Sequence, residues 1–111
     1  MGLSTHILDM AVGRPAAGVL VVLSRANGEA WNELGRGMTD ADGRCKTLLG
    51  DQALEAATYK IRFATAEYFA AQQLTGLYPY VEIVFTVREP AQHYHIPLLL
   101  TANGYSTYRG S

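Results

Sequence analysis

Along most of this chain apolar and polar residues alternate one for one, in short runs broken by Gly, Pro, Asn and Asp. Period two sends successive side chains to opposite faces of a strand, so the pattern predicts β-structure. The first run covers Ser4 to Met10, and Gly13-Arg14-Pro15 ends it as a turn. Gly18 to Ser24, rich in valine and leucine, predicts a central strand. Asn27-Gly28 is a strong hairpin signal, and it predicts a returning strand from Trp31 to Met38. Asp42-Gly43 marks a loop within Thr39 to Gly43, followed by a short strand over Arg44 to Thr47. Thr58 to Ala64 alternates cleanly, with Tyr59, Ile61 and Phe63 on one face and Lys60 and Arg62 on the other. Val81 to Val87 repeats this with Val81, Ile83, Phe85 and Val87 inward. His93 to Leu100 and Gly104 to Arg109 supply the last two strands.

One segment breaks the alternation. Thr65 to Gln73 is made largely of helix formers and predicts one short helix, ended before Gly76, with Pro79 opening the next strand. Short strands at even spacing with turns between them predict an all-β sandwich or barrel. No repeat, low-complexity stretch or linker interrupts the pattern, so one domain over residues 1–111 is expected.

The composition of 49% hydrophobic and 17% charged residues fits a chain that builds one core. A net charge of -1 with scattered Lys and Arg argues against a nucleic-acid surface or a polybasic membrane patch. The most apolar stretch, Ala16 to Leu23, falls short of the roughly 20 residues of a membrane helix. No basic segment precedes an apolar run near the start, and Tyr-Arg-Gly-Ser is not a peroxisomal address, so a cytoplasmic, bacterial-type protein is expected. The single cysteine, Cys45, cannot form an intrachain disulfide, and a buried, inert thiol is the expectation. There is no P-loop, Rossmann glycine pattern or nucleophile elbow, and no cofactor is expected.

The candidate chemistry lies with three histidines: His6, His93 and His95. His93 and His95 are two apart on one strand, so they share a face, opposite apolar Tyr94, Ile96 and Leu98. The phase of the first strand is open, since His6 shares its face with both Ser4 and Leu8. Imidazole titrates near neutral pH and suits general acid/base work. Plain surface histidines fit the same pattern, and so does a metal gripped by all three, although acidic ligands are not concentrated nearby. Arg44, at the edge of its loop, either orients a carbonyl-rich substrate or is simply solvated. Asp9 and Glu89 read as ordinary polar positions. The segment Gly104 to Ser111 is rich in aromatic and hydroxyl side chains, which suggests packing in a site or an interface.

Four motifs in order resemble one family across the whole chain. Leu3-Ser4-Thr5-His6-Ile7-Leu8-Asp9 with Gly13-Arg14-Pro15-Ala16 and Gly18-Val19 resembles the first signature of the 5-hydroxyisourate hydrolases, relatives of transthyretin. Thr39-Asp40-Ala41-Asp42-Gly43-Arg44 resembles their arginine loop. His93-Tyr94-His95-Ile96-Pro97-Leu98-Leu99-Leu100 resembles their penultimate strand, and Tyr105-Ser106-Thr107-Tyr108-Arg109-Gly110-Ser111 their terminal signature. Tyr68-Phe69 and Tyr78-Pro79 fall where the family has its helix and following strand. Thr101-Ala102-Asn103 departs from the usual Ser-Pro and leaves the local turn open.

The resemblance implies a transthyretin-like sandwich of two four-stranded sheets with one short helix. It implies a homotetramer, a dimer of dimers with active sites where dimers meet. It also implies ring opening of 5-hydroxyisourate by water in urate catabolism, without metal or other cofactor. His6 and His95 would activate the water and protonate the leaving nitrogen. Arg44 would hold the substrate and steady negative charge. Tyr108 would bind substrate, and Ser111 with its carboxylate would close the site. Transthyretin, a hormone carrier, lacks this set and marks the competing reading. A filled sandwich of this length has no interior room for a ligand, so any site lies on its surface or between copies.

Overall fold

The computed structural model describes residues 2–111; Met1, the first residue of the expected domain, lies outside the described residues. The strands are β1 (Leu3–Asp9), β2 (Arg14–Pro15), β3 (Leu20–Asn27), β4 (Ala30–Met38), β5 (Arg44–Cys45), β6 (Ala57–Phe63), β7 (Val81–Val87), β8 (Tyr94–Thr101) and β9 (Gly104–Thr107), with α1 (Thr65–Ala70) between β6 and β7. One sheet runs β2-β1-β8-β9, with β5 also on β1, and the other runs β4-β3-β6-β7. The second has the four strands expected. The first reaches five because β2 and β5 form two-residue ladders, on Leu8–Asp9 and on Thr5–His6 of β1. Residues Arg14-Pro15, read as part of a turn, thus also close one end of a sheet edge.

The alternation sets which face each strand buries. Tyr59, Ile61 and Phe63 of β6 are essentially inaccessible, as are Val21 and Leu23 of β3, Ile7 of β1 and Leu98 of β8. Burying one such side chain contributes about 1.5–3 kcal/mol, so the inner faces of the two sheets hold the sandwich together. Strand β3 is central, as its composition predicted, and pairs with β4 and β6. It turns into β4 at Gly28-Glu29, with Asn27 opposite Ala30. The hairpin between β8 and β9 closes on Ala102-Asn103, with Thr101 opposite Gly104 and the Thr101 hydroxyl donating to the Gly104 carbonyl at 3.1 Å.

The helix is shorter than the helix-forming stretch. Gln73 adopts a left-handed φ of 60°, and the Phe69 carbonyl accepts from both Gln72 and Leu74, which stops the helix. Strand β7 starts at Val81, two residues after Pro79. Among the described residues no helix is long and apolar enough to cross a membrane.

Asp9 corrects the reading of an ordinary polar position. It is 3% exposed, on the inward face of β1. The Tyr68 hydroxyl of α1 donates to its Oδ2 at 2.7 Å, and the Ala11 N–H donates to Oδ1 at 3.0 Å. A buried carboxylate needs such partners, and this pair ties the helix to the first sheet. Burial, followed by the hydrogen bond to Asp9, pushes the Tyr68 hydroxyl above the usual phenol range.

Candidate active site

Strand register decides which side chains meet. Thr5, Ile7 and Asp9 are buried, so Ser4, His6 and Leu8 occupy the outer face of β1. This settles the phase that the sequence left open. Arg44 pairs directly with His6 across the β1–β5 ladder, which sets both on that face. In the parallel β1–β8 ladder Ser4 pairs with His95, which therefore points outward too, between buried Tyr94 and Ile96. Three strands thus deliver His6, Arg44 and His95 to one patch. The His6 and His95 rings lie 6.5 Å apart and tilted by 36°.

The loop before Arg44 is built to hold it. Asp40 Oδ1 accepts from the Asp42 N–H at 2.9 Å and the Arg44 N–H at 3.1 Å, and the Asp40 N–H donates to the Arg44 carbonyl at 2.8 Å. The hydrogen bond from Arg44, first among the causes, lowers the Asp40 carboxyl below its ordinary value. Gly43 has a φ of 75°, and a Cβ there would stand 2.4 Å from the Ile7 carbonyl oxygen. Only glycine allows the loop to press this closely against β1. Arg44 is exposed, and no carboxylate pairs with it among the described residues. Cys45 beside it turns inward and is 3% exposed, the buried thiol expected.

His95 is half-buried. Burial pushes its imidazole below the ordinary histidine range, and Arg44, His6 and His93 push the same way, with the Ser4 backbone opposing them. The neutral base form is thereby favoured. Ser4 Oγ lies 2.7 Å from His95 Nδ1 and 2.8 Å from His93 Nε2. Sequence reasoning passed over Ser4, although its position two residues before His6 already put both on one face.

The terminal signature folds back over this patch. The Gly110 N–H donates to the His95 carbonyl at 2.8 Å. A Cβ on Gly110 would meet His95 Cδ2 at 2.4 Å, so the backbone lies directly against the ring. Arg109 anchors the segment, stacked 4.3 Å over the Tyr94 ring and donating to Gln92 Oε1 at 2.9 Å. Ser111 follows, exposed. Tyr108 goes elsewhere: it lines a cleft of about 400 Å³ with Ile83, Phe85, Tyr94, Ile96 and Arg109.

A second cleft, of about 440 Å³, lies on the outer face of the other sheet among Glu33, Arg36, Lys60, Arg62 and Glu82. A third, of about 560 Å³, lies beside α1 between Arg14 and Tyr68. None of the three is lined by His6, Arg44 or His95. The histidine–arginine patch is an open sheet face. Among the described residues no three His, Cys, Asp or Glu side chains gather as metal ligands. The patch offers two imidazoles for moving protons and one free guanidinium for holding negative or carbonyl oxygen.

Comparison with known proteins matches this arrangement to a family. The chain is 46% identical over 114 residues to the 5-hydroxyisourate hydrolase of Caulobacter vibrioides, covering 99% of this chain and 98% of that one. Its fold superposes on the structure of Klebsiella pneumoniae 5-hydroxyisourate hydrolase with a TM-score of 0.88 at 37% identity, covering 100% of both chains. It superposes on transthyretin from Sparus aurata with a TM-score of 0.91 at 32% identity, covering 98% of this chain and 96% of that one. The architecture is the transthyretin-like sandwich of two sheets with one short helix. The profile of the HIUase/Transthyretin family matches residues 3–110, and the chain belongs to that family.

Proposed function

We propose that this protein is an enzyme that hydrolyses 5-hydroxyisourate to 2-oxo-4-hydroxy-4-carboxy-5-ureidoimidazoline in urate catabolism. The observation that carries the reading is the convergence of His6, Arg44 and His95 from three strands onto one open sheet face. Identity over nearly the full chain to a hydrolase of that name supports the choice of substrate. A sandwich so similar to transthyretin does not choose between hydrolase and carrier; the side chains do.

The chemistry is acyl transfer to water. Neutral His95, assisted by His6, takes a proton from a water as its oxygen attacks the lactam carbonyl of the six-membered ring. The guanidinium of Arg44 steadies the negative charge that develops on the carbonyl oxygen. The ring C–N bond then breaks, and an imidazolium returns the proton to the leaving nitrogen. Acid/base help of this kind is worth about 10²–10⁴-fold.

An open face cannot enclose a substrate alone, and binding sites are concave. We therefore set the working site between copies, in a homotetramer whose dimers meet across this face. Ser111, which follows Gly110 at the His95 backbone, closes the site toward a neighbouring subunit. Tyr108, directed away from the histidines of its own chain, binds substrate at a neighbour's site.

The test generates 5-hydroxyisourate in place from urate with urate oxidase and follows its ultraviolet absorbance. Decay faster than the spontaneous rate is the expected result. Decay at the spontaneous rate rejects the hydrolase and leaves a carrier of small ring compounds. Light scattering on the same sample should give a tetramer, and a monomer would reject the shared site.

A further inference from the structure

The Ser4 hydroxyl stands between two imidazoles, within hydrogen-bond distance of His93 Nε2 and His95 Nδ1. A hydroxyl has one proton to give, so the two rings cannot choose their tautomers independently. Either His95 Nδ1–H donates to Ser4 and Ser4 donates to His93 Nε2, or His93 Nε2–H donates to Ser4 and Ser4 donates to His95 Nδ1. In the first arrangement both neutral rings carry their proton on Nδ1, and His95 Nε2 is a free base. In the second both carry it on Nε2, and His95 Nε2–H is a donor.

We propose that Ser4 and His93 form a proton relay behind His95 that switches its Nε2 from acceptor to donor during turnover. The steps balance. His95 Nε2 takes a proton from the attacking water and becomes an imidazolium. Its Nδ1 proton passes to Ser4 Oγ as the Ser4 proton passes to His93 Nε2. The positive charge now rests on His93, and His95 is neutral with its proton on Nε2. That proton goes to the leaving nitrogen as the relay runs backward, and the starting arrangement returns. Hydroxide adds at the carbonyl, the ring C–N bond breaks, and no proton is gained or lost overall.

The surroundings give the relay its direction. His95 is half-buried, with Arg44 of β5 and His6 of β1 turned to the same face, and a cation there is crowded by like charge and poorly hydrated. His93, just before β8, is exposed and open to water. Arg109 lies near it, with Nη2 3.4 Å from the His93 carbonyl, and is engaged with Gln92 and Tyr94. Ser4 and His93 are positioning residues for His95 in this scheme; they need not touch substrate.

The inference rests on the hydrolase reading, but its first test does not need turnover. Ring-nitrogen NMR of histidine-labelled protein at about pH 8, where ordinary imidazoles are neutral, reads each tautomer directly. His93 and His95 are expected to share one tautomer, and Ser4→Ala to unlink them. Opposite tautomers in the native protein overturn the relay whatever the activity. The second test is His93→Gln, whose amide can hold the Ser4 hydrogen bond but cannot accept a proton. Its kcat should fall about tenfold with KM unchanged. Ser4→Thr, which restores the hydroxyl, should recover what Ser4→Ala loses. Native kcat in His93→Gln overturns the relay. If the native enzyme shows no turnover while the tautomers remain linked, the hydrolase reading fails instead.

Discussion

On the outer face of the second sheet, charges meet their opposites. Glu82 lies 3.2 Å from Lys60 and 3.7 Å from Arg62, and Glu33 holds Arg36 through hydrogen bonds of 2.8 and 2.7 Å. The outer face of the first sheet does the reverse. It gathers Arg44, His6, His93 and His95 with no carboxylate paired to Arg44 among the described residues. The more enclosed cleft sits on the compensated face, yet its cations are already occupied by its own glutamates. A free guanidinium beside two imidazoles is costly to assemble and remains available for a ligand. The contrast separates a solvated sheet surface from a reactive one better than cavity size does.

The sharpest way to break that contrast is to remove the base. His95→Ala should lower kcat about 10²–10⁴-fold. The fold should survive, because the ring lies outside the core that Tyr94 and Ile96 enter. Turnover with circular dichroism checks this, and collapse of the fold would recast His95 as a structural residue.

Next in size is Arg44→Gln, which should cost about 10²-fold in kcat by leaving the oxyanion without its cation. It also tests the electrostatics. Burial is the first cause of the low His95 pKa, and Arg44 is the second. A lowered pKa keeps the base neutral to lower pH. Removing Arg44 should therefore move the acid limb of kcat/KM upward, toward ordinary histidine. The same depression makes folding stability fall as pH drops through the histidine range, since the unfolded chain binds the proton more readily. An acid limb that stays in place, or moves downward, shows that Arg44 does not act on His95.

Gly110→Ala asks whether the terminal segment matters to the ring it covers. The added methyl would stand 2.4 Å from His95 Cδ2, so ring or segment must shift. Displacement of a catalytic group should lower kcat about tenfold, with little change in thermal stability, since Gly110 lies beyond β9 and outside the core. Unchanged kinetics would separate the terminus from the reaction.

The fold was largely legible because alternation reports burial directly. Tyr59, Ile61 and Phe63 went inward as their spacing required, and so did Tyr94, Ile96 and Leu98. Asp9 misled because its polar side chain occupies an inward position, made tolerable by Tyr68, 59 residues away. Nothing local announces such a partner. The same distance hid the role of Ser4, whose histidine partners lie 89 and 91 residues on and are brought to it by the parallel β1–β8 pairing. His6, Arg44 and His95 were individually weak candidates; motif order, not their chemistry, singled them out. Tyr108 shows the limit from the other side. Its motif groups it with the site, whereas its side chain lines the cleft beside Phe85 and Tyr94.

The smallest effect belongs to the compensated face. Glu82→Gln removes the carboxylate shared by Lys60 and Arg62. Partly exposed ion pairs are worth about 1 kcal/mol or less, because water solvates the separated charges almost as well. Here each cation also keeps an aromatic neighbour: Lys60 lies 4.5 Å from the Trp31 ring centre, and Arg62 lies 3.7 Å from that of Tyr80. Those contacts hold both side chains down after the carboxylate is neutralised. Urea unfolding should therefore shift only slightly, and turnover should stay at the native value. A loss of turnover as large as that of Gly110→Ala would mean that the second face takes part in the reaction, and charge compensation would no longer distinguish an inert surface from a working one.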